Sequence, residues 1–158
     1  MDTFTVSFFG HRQVDHACEV ETMLAETVTE LLLTKEYVEF LVGRDGAFDL
    51  LVASTVRRCK RTVRSDNSAL VLVLPYLTAE YENNVASFHA YYDEVEICTV
   101  SENAYFKAAH KERNRSMVDR SDLIVFCVQH TSGGAYQTMR YAEKAGKRYT
   151  VLSVSPGC

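Results

Sequence analysis

The stretch Ser121-Asp122-Leu123-Ile124-Val125-Phe126-Cys127-Val128-Gln129-His130-Thr131-Ser132-Gly133-Gly134-Ala135-Tyr136-Gln137-Thr138 decides the fold class. Leu123 to Val128 is an unbroken apolar run, as expected of a strand buried on both faces. The glycine pair that follows lets the backbone turn closely and leaves amide hydrogens unpaired at the start of the next helix. Ser132-Gly133-Gly134 thus reads as a site for phosphate or carboxylate, although the same pair serves any strand-to-helix turn. Thr138 falls one turn into that helix, where its hydroxyl can bond a phosphate or cap the backbone.

Outward from this stretch, β-rich and helical segments alternate, the pattern of a parallel sheet covered by helices. Strands are expected at Phe4 to Phe9, Tyr37 to Val42, Ala69 to Leu74, Glu94 to Cys98, Leu123 to Val128 and Tyr149 to Val154. Ala69 to Leu74 is apolar throughout, so it and Leu123 to Val128 should be interior strands. Helical spacing marks Glu19 to Leu33, the segment Phe48 to Cys59 with apolar Leu51, Val52 and Val56, and Glu102 to Arg120. Only Pro75 and Pro156 occur, and neither breaks a proposed helix. The expectation is one doubly wound α/β domain over residues 1–158, with its site at the carboxyl ends of the strands.

The 158 residues suffice to bury roughly 70% of the unfolded chain's surface without a staple. The 17 Lys+Arg against 21 Asp+Glu give a net charge of −4, which argues against a general nucleic-acid binder but leaves room for a local basic patch. Cys18, Cys59, Cys98, Cys127 and Cys158 form no CxxC pair and no zinc spacing, and read as reduced, mostly buried thiols. His89 and His110 have no second ligand at metal spacing, so neither metal nor cofactor is assigned. With no signal-like start and no apolar run approaching about 18 residues, a cytoplasmic protein without a membrane partner is expected.

Polar residues gather at the strand ends. Gly10-His11-Arg12 follows the first strand, as a turn with a solvated Arg or as part of a site. Gly43-Arg44-Asp45-Gly46-Ala47-Phe48-Asp49 follows the second, and Asp49 either accepts a ribose hydroxyl or serves the helix dipole and the turn. On the helix Glu102 to Arg120, a stripe of Phe106, Ala109, His110, Met117 and Val118 should face the sheet, with Arg113 and Asn114 in its gap. A cation there requires a partner. Asp119 or Asp122 can supply it, or a ligand anion can, while Ser121-Asp122 reads as a turn pair. Arg57, Arg58, Lys60, Arg61 and Arg64 read as a solvated helix end.

Taken in order, Gly10-His11-Arg12, Gly43-x-x-Gly46-x-x-Asp49, the Arg113 to Asp122 helix and Gly133-Gly134-x-x-x-Thr138 resemble the SLOG superfamily. That group unites the DprA/Smf proteins, the LOG (lonely guy) phosphoribohydrolases and YpsA-like proteins, and the small standalone bacterial YpsA-like members look most similar. The resemblance spans nearly the whole chain. It implies a Rossmann-like three-layer α/β/α sandwich with a mostly parallel central sheet, whose loops bind a nucleotide-derived small molecule. The twelve positions Gly10, His11, Arg12, Gly43, Gly46, Asp49, Arg113, Asn114, Ser132, Gly133, Gly134 and Thr138 are its expected ligand-binding residues. Family habit and the tyrosines at 76, 81, 91 and 92 suggest a homodimer.

LOG enzymes use an Arg on the helix before the glycine strand and a Glu just after the glycine turn. Arg113 matches the first, but Arg140 stands where the second is expected, and Glu143 falls farther along. Cleavage of an N-glycosidic bond requires a carboxylate near the ribose to stabilise developing positive charge or position water. No catalytic residue is therefore assigned. The expectation is a binding protein with a sensing or regulatory role, and LOG-type hydrolysis is its rival.

Overall fold

The computed structural model describes residues 2–99 and 105–154. The chain runs β1 (Thr3–Gly10), α1 (Ala17–Thr34), β2 (Tyr37–Val42), α2 (Ala47–Thr62), β3 (Ser68–Leu74), α3 (Ala79–Glu82), α4 (Val85–Tyr91), β4 (Glu94–Ile97), α5 (Phe106–Asp119), β5 (Leu123–Cys127), α6 (Gly134–Lys144) and β6 (Tyr149–Val151). The strands make one sheet in the order β4-β3-β2-β1-β5-β6, and every described pairing is parallel. This is a Rossmann-like α/β fold.

Strand periodicity sorts the side chains into two cores. Phe8 and Val6 of β1, Phe40 and Val42 of β2, and Leu70 and Leu72 of β3 pack on one side with Val20, Leu24 and Val28 of α1 and Val52 and Val56 of α2. Phe9, Leu41, Val71, Val73, Ile124 and Phe126 point the other way, onto Met117 and Val118 of α5 and Ala135 and Ala142 of α6. Burial on both faces is why β3 and β5 read as continuous apolar runs and why both lie inside the sheet.

The order also fixes where a site can form. From β1 the chain builds outward through β2, β3 and β4, then returns to place β5 on the other side of β1. The β1 and β5 ends meet where Gly10 pairs with Cys127, and their helices leave to opposite faces. A crevice opens at such a reversal.

Several expectations shift in detail. The expected helix residues Glu102 to Ala104 lie outside the described residues, as do Pro156 and Cys158. Phe106 does not face the sheet: it begins α5 and is 60% exposed, beside Tyr76 and His110. The basic end of α2 is exposed at Arg57, Arg61 and Arg64, and it carries surface contacts as well: Arg58 on Glu21, Lys60 on Asp93, Arg64 on Asp66 and Arg57 over the Tyr91 ring. Ser121 and Asp122 do serve the turn, Ser121 Oγ donating to the Met117 carbonyl and Asp122 Oδ2 accepting the Thr5 amide at 2.8 Å. No helix among the described residues is long and apolar enough to cross a membrane.

Candidate functional site

Two glycines hold the β1 and β2 ends together. A Cβ on Gly10 would lie 2.3 Å from Phe48 Cγ, inside the ring that anchors the first turn of α2. A Cβ on Gly46 would lie 2.5 Å from Arg12 Cα, at the point where the Arg12 carbonyl accepts the Ala47 amide. The loops after β1 and β2 therefore touch backbone to backbone. His11 turns back across the sheet, accepting the His130 amide on Nε2 at 3.1 Å with its ring 4.7 Å from that of His130. Burial, and then His130, lowers its pKa, so the ring favours the neutral form that this bond requires.

Arg113 lies beneath the crevice and is 1% exposed. Its Nη1 donates to the Val73 carbonyl at 3.0 Å, its Nε to Asn114 Oδ1 at 2.9 Å, and its Nη2 to Asp45 Oδ2. Neither Asp119 nor Asp122 is its counterion. Asp119 accepts from the Tyr141 hydroxyl, while a carboxylate from the β2 loop supplies the pairing. Gly43 makes room for this arrangement, since a Cβ there would sit 3.1 Å from both Arg113 Nη1 and Asp49 Oδ2.

The two carboxylates beside Arg113 are driven apart. Burial pushes Asp45 up, but hydrogen bonding with His110 and the charge of Arg113 outweigh it and hold the carboxyl at about 2. Asp49 is pushed up to about 6, chiefly by burial; the Asp45 amide that donates to Asp49 Oδ2 at 2.9 Å opposes the rise, and the Asp45 charge adds to it. Asp49 thus holds the turn, one of the two roles its position suggests. His110 Nδ1 lies 3.5 Å from Asp45 Oδ2 and 3.4 Å from Arg113 Nη2, while its buried Nε2 has no hydrogen-bond partner among the described residues.

The glycine turn closes the crevice from the β5 side. Gly133 has φ 92° and ψ 175°, a region open essentially to glycine that costs an L side chain about 1–3 kcal/mol, and no side chain caps the helix it introduces. The first-turn amides of α6 are therefore open toward an acceptor. Thr138 Oγ1 donates to the Gly134 carbonyl one turn back at 2.8 Å and accepts from Asn114 Nδ2 at 3.3 Å, so its hydroxyl is taken up within α6 and ties α5 to α6.

A cavity of about 280 Å³ lies among these groups. Ten of the twelve positions singled out in the sequence line it; exposed Ser132 and buried Thr138 do not. Asp45 and His110 line it as well, and sequence reasoning passed over both. His110 stands one helical turn before Arg113, a spacing that puts both on one face. Asp45 sat within a quoted glycine motif, but nothing local pointed to a partner 68 residues away.

Other concave regions lack this convergence. A wider groove beside Leu50, Phe88 and Tyr91 is mostly apolar, and its Arg44 is taken up by Glu80 at 2.8 Å and the Tyr92 hydroxyl at 3.0 Å. Glu39 of β2 and Glu94 and Glu96 of the edge strand β4 cluster together, where Arg120 already bonds Glu96 at 2.7 Å and Glu39 at 3.2 Å. Arg140 lies outside the cavity, exposed, with its guanidinium on the Tyr136 hydroxyl at 3.1 Å.

With this geometry in place, two solved structures superimpose over 98% of the chain. One is DNA processing protein A from Helicobacter pylori, which binds single-stranded DNA, with TM-score 0.67 and 16% identity. The other is DNA processing protein A (DprA) from Streptococcus pneumoniae, with TM-score 0.68 and 13% identity. The chain shares its fold with these two proteins. It spans 67% of the first structure's length and 52% of the second's. No family model and no curated protein matches the sequence.

Proposed function

We propose that this chain binds a nucleotide or nucleotide derivative in the switch-point cavity and serves as a sensor or regulatory module of the SLOG type. One observation carries the reading: a single cavity holds the open amides of α6 at Gly133-Gly134 and the carboxylates of Asp45 and Asp49. Amides at a helix N-terminus suit a phosphate, and carboxylates suit the hydroxyls of a ribose. Arg113 acts from below, its charge largely engaged by Asp45, so the amides and exposed Arg12 are the anion's direct partners. A thermal-shift screen across nucleoside mono-, di- and triphosphates and dinucleotide-derived metabolites tests this, because a ligand that binds only the folded state raises its melting temperature. A folded protein whose melting temperature moves with none of them refutes it.

A second reading, hydrolysis of the N-glycosidic bond of a nucleoside monophosphate, draws on the split between Asp45 and Asp49. One carboxyl held at about 2 and another at about 6 are an ionised group and a proton carrier in one cavity. Against it stands the position after the glycine turn, where Arg140 points to solvent in place of an acid. Chromatography for released base separates the readings: release that disappears in Asp49→Asn supports hydrolysis, and its absence with ligand bound supports binding alone.

A further inference from the structure

The cavity does not end at the glycine turn. It shares Arg12, His110, Asn114, Gly133 and Gly134 with a groove of about 820 Å³ that runs between α5 and α6. Five Lys or Arg side chains line that groove, Arg12, Lys107, Lys111, Arg115 and Arg140, and among the described residues no Asp or Glu does. In a chain whose 21 acidic residues outnumber its 17 Lys and Arg, such segregation of charge is a local field of one sign.

Local pairing leaves much of that charge available. Arg140 leans toward Tyr136 and Glu143, and Arg115 stacks on the Tyr141 ring at 4.7 Å. Arg12, Lys107 and Lys111 make no ion pair with any described carboxylate, and all three are exposed. Self-repulsion among them is relieved by an anion. The groove meets the cavity at the first turn of α6, where the amides already suit one phosphate.

We infer that the α5–α6 groove is a polyphosphate subsite, so that the ligand is a nucleoside di- or triphosphate rather than a monophosphate. The inference rests on the nucleotide reading above. The nucleoside end occupies the cavity beside Asp45 and Asp49, the α-phosphate lies at Gly133-Gly134, and the outer phosphates extend toward Arg12, Lys107 and Lys111. The net charge of −4 and the two carboxylates in the cavity disfavour a polyanionic strand running through it, which favours a small molecule over a polymer.

Calorimetric titration without magnesium tests it, using the adenosine and guanosine mono-, di- and triphosphate series, inorganic tripolyphosphate and a single-stranded oligonucleotide, on the wild-type chain and on Lys107→Ala/Lys111→Ala. Both lysines are exposed, so the variant should keep the wild-type melting temperature. The expected result is a triphosphate bound roughly tenfold or more tighter than its monophosphate, a preference that the double substitution cuts to about threefold or less while monophosphate affinity stays within about twofold. Tripolyphosphate should compete with the triphosphate. Equal affinity for mono- and triphosphate overturns the polyphosphate subsite alone and leaves the nucleotide reading standing. Binding of no nucleotide overturns both. An oligonucleotide preferred over every triphosphate, and lost in the lysine variant, shows that the groove takes a polymer and overturns the inference.

Discussion

Asp45→Asn tests whether the paired charge beneath the cavity is as important as the geometry implies. The amide keeps an oxygen facing Arg113 Nη2 but removes the countercharge from a guanidinium that is 1% exposed. Two routes give the magnitude. Removing one partner of a fully buried pair costs about 3–5 kcal/mol, an upper bound here because the Asp45 side chain is 34% exposed. A carboxyl held at about 2 against an ordinary 3.8 contributes about 2 kcal/mol at neutral pH, reduced by solvent to ~1–2 kcal/mol. The expected loss is therefore about 2 kcal/mol at pH 7 in urea denaturation, or a melting temperature lower by about 4–8 °C. The pH dependence carries the sign. Because the folded pKa is depressed, this stability is present above pH 3.8 and disappears as pH falls toward 2, so wild type and variant should converge in acid. The cycle completed by Arg113→Met and the double variant should return a coupling of about 1–2 kcal/mol. A loss below about 0.5 kcal/mol, or a difference between wild type and variant that is flat from pH 7 to pH 2, would refute the pairing as the energetic basis of the site.

Other consequences follow from the same geometry. Gly10→Ala places a methyl 2.3 Å from Phe48 Cγ and should destabilise by about 1–3 kcal/mol, read from the urea midpoint. Gly133→Ala should cost about 1–3 kcal/mol in the same measurement through its φ of 92° and ψ of 175°, and weaken any ligand seated on α6. Asp49 titrates in the opposite sense to Asp45. Its folded pKa of about 6 lies above 3.8, so the folded state holds more protons and stability falls as pH rises from about 4 to 6. Asp49→Asn should flatten that slope in thermal melts; an unchanged slope refutes the assignment. Arg140→Glu should release no base from nucleoside monophosphates by chromatography, because position 140 faces solvent outside the cavity.

Much of this architecture was legible because burial on both faces leaves a signature. Ala69 to Leu74 and Leu123 to Val128 had to lie inside a sheet, and both do. The strand order was not legible, since apolar strands carry no mark of their neighbours. The short α3 and α4 went unforeseen: a four-residue helix resting on the Thr78 hydroxyl has too few turns for periodicity. Glycines and charges at strand ends pointed to loops that line one cavity, because those loops reach the switch point. The partner of Arg113 was hidden by distance in sequence. Asp119 and Asp122 were near along the chain, but Asp45 is near in space, brought there by the β2 loop. The Thr138 hydroxyl was expected to bond a phosphate or cap the backbone, and in the structure it donates to the Gly134 carbonyl one turn back within α6.

The most direct measurement is a backbone amide chemical-shift titration with a nucleoside phosphate identified by the thermal screen. The account predicts saturable shifts centred on Gly133, Gly134, Gly43 and Gly46, continuing along the first turn of α6. Saturable shifts that leave these glycines still and gather instead beside Leu50 and Tyr91 would contradict it.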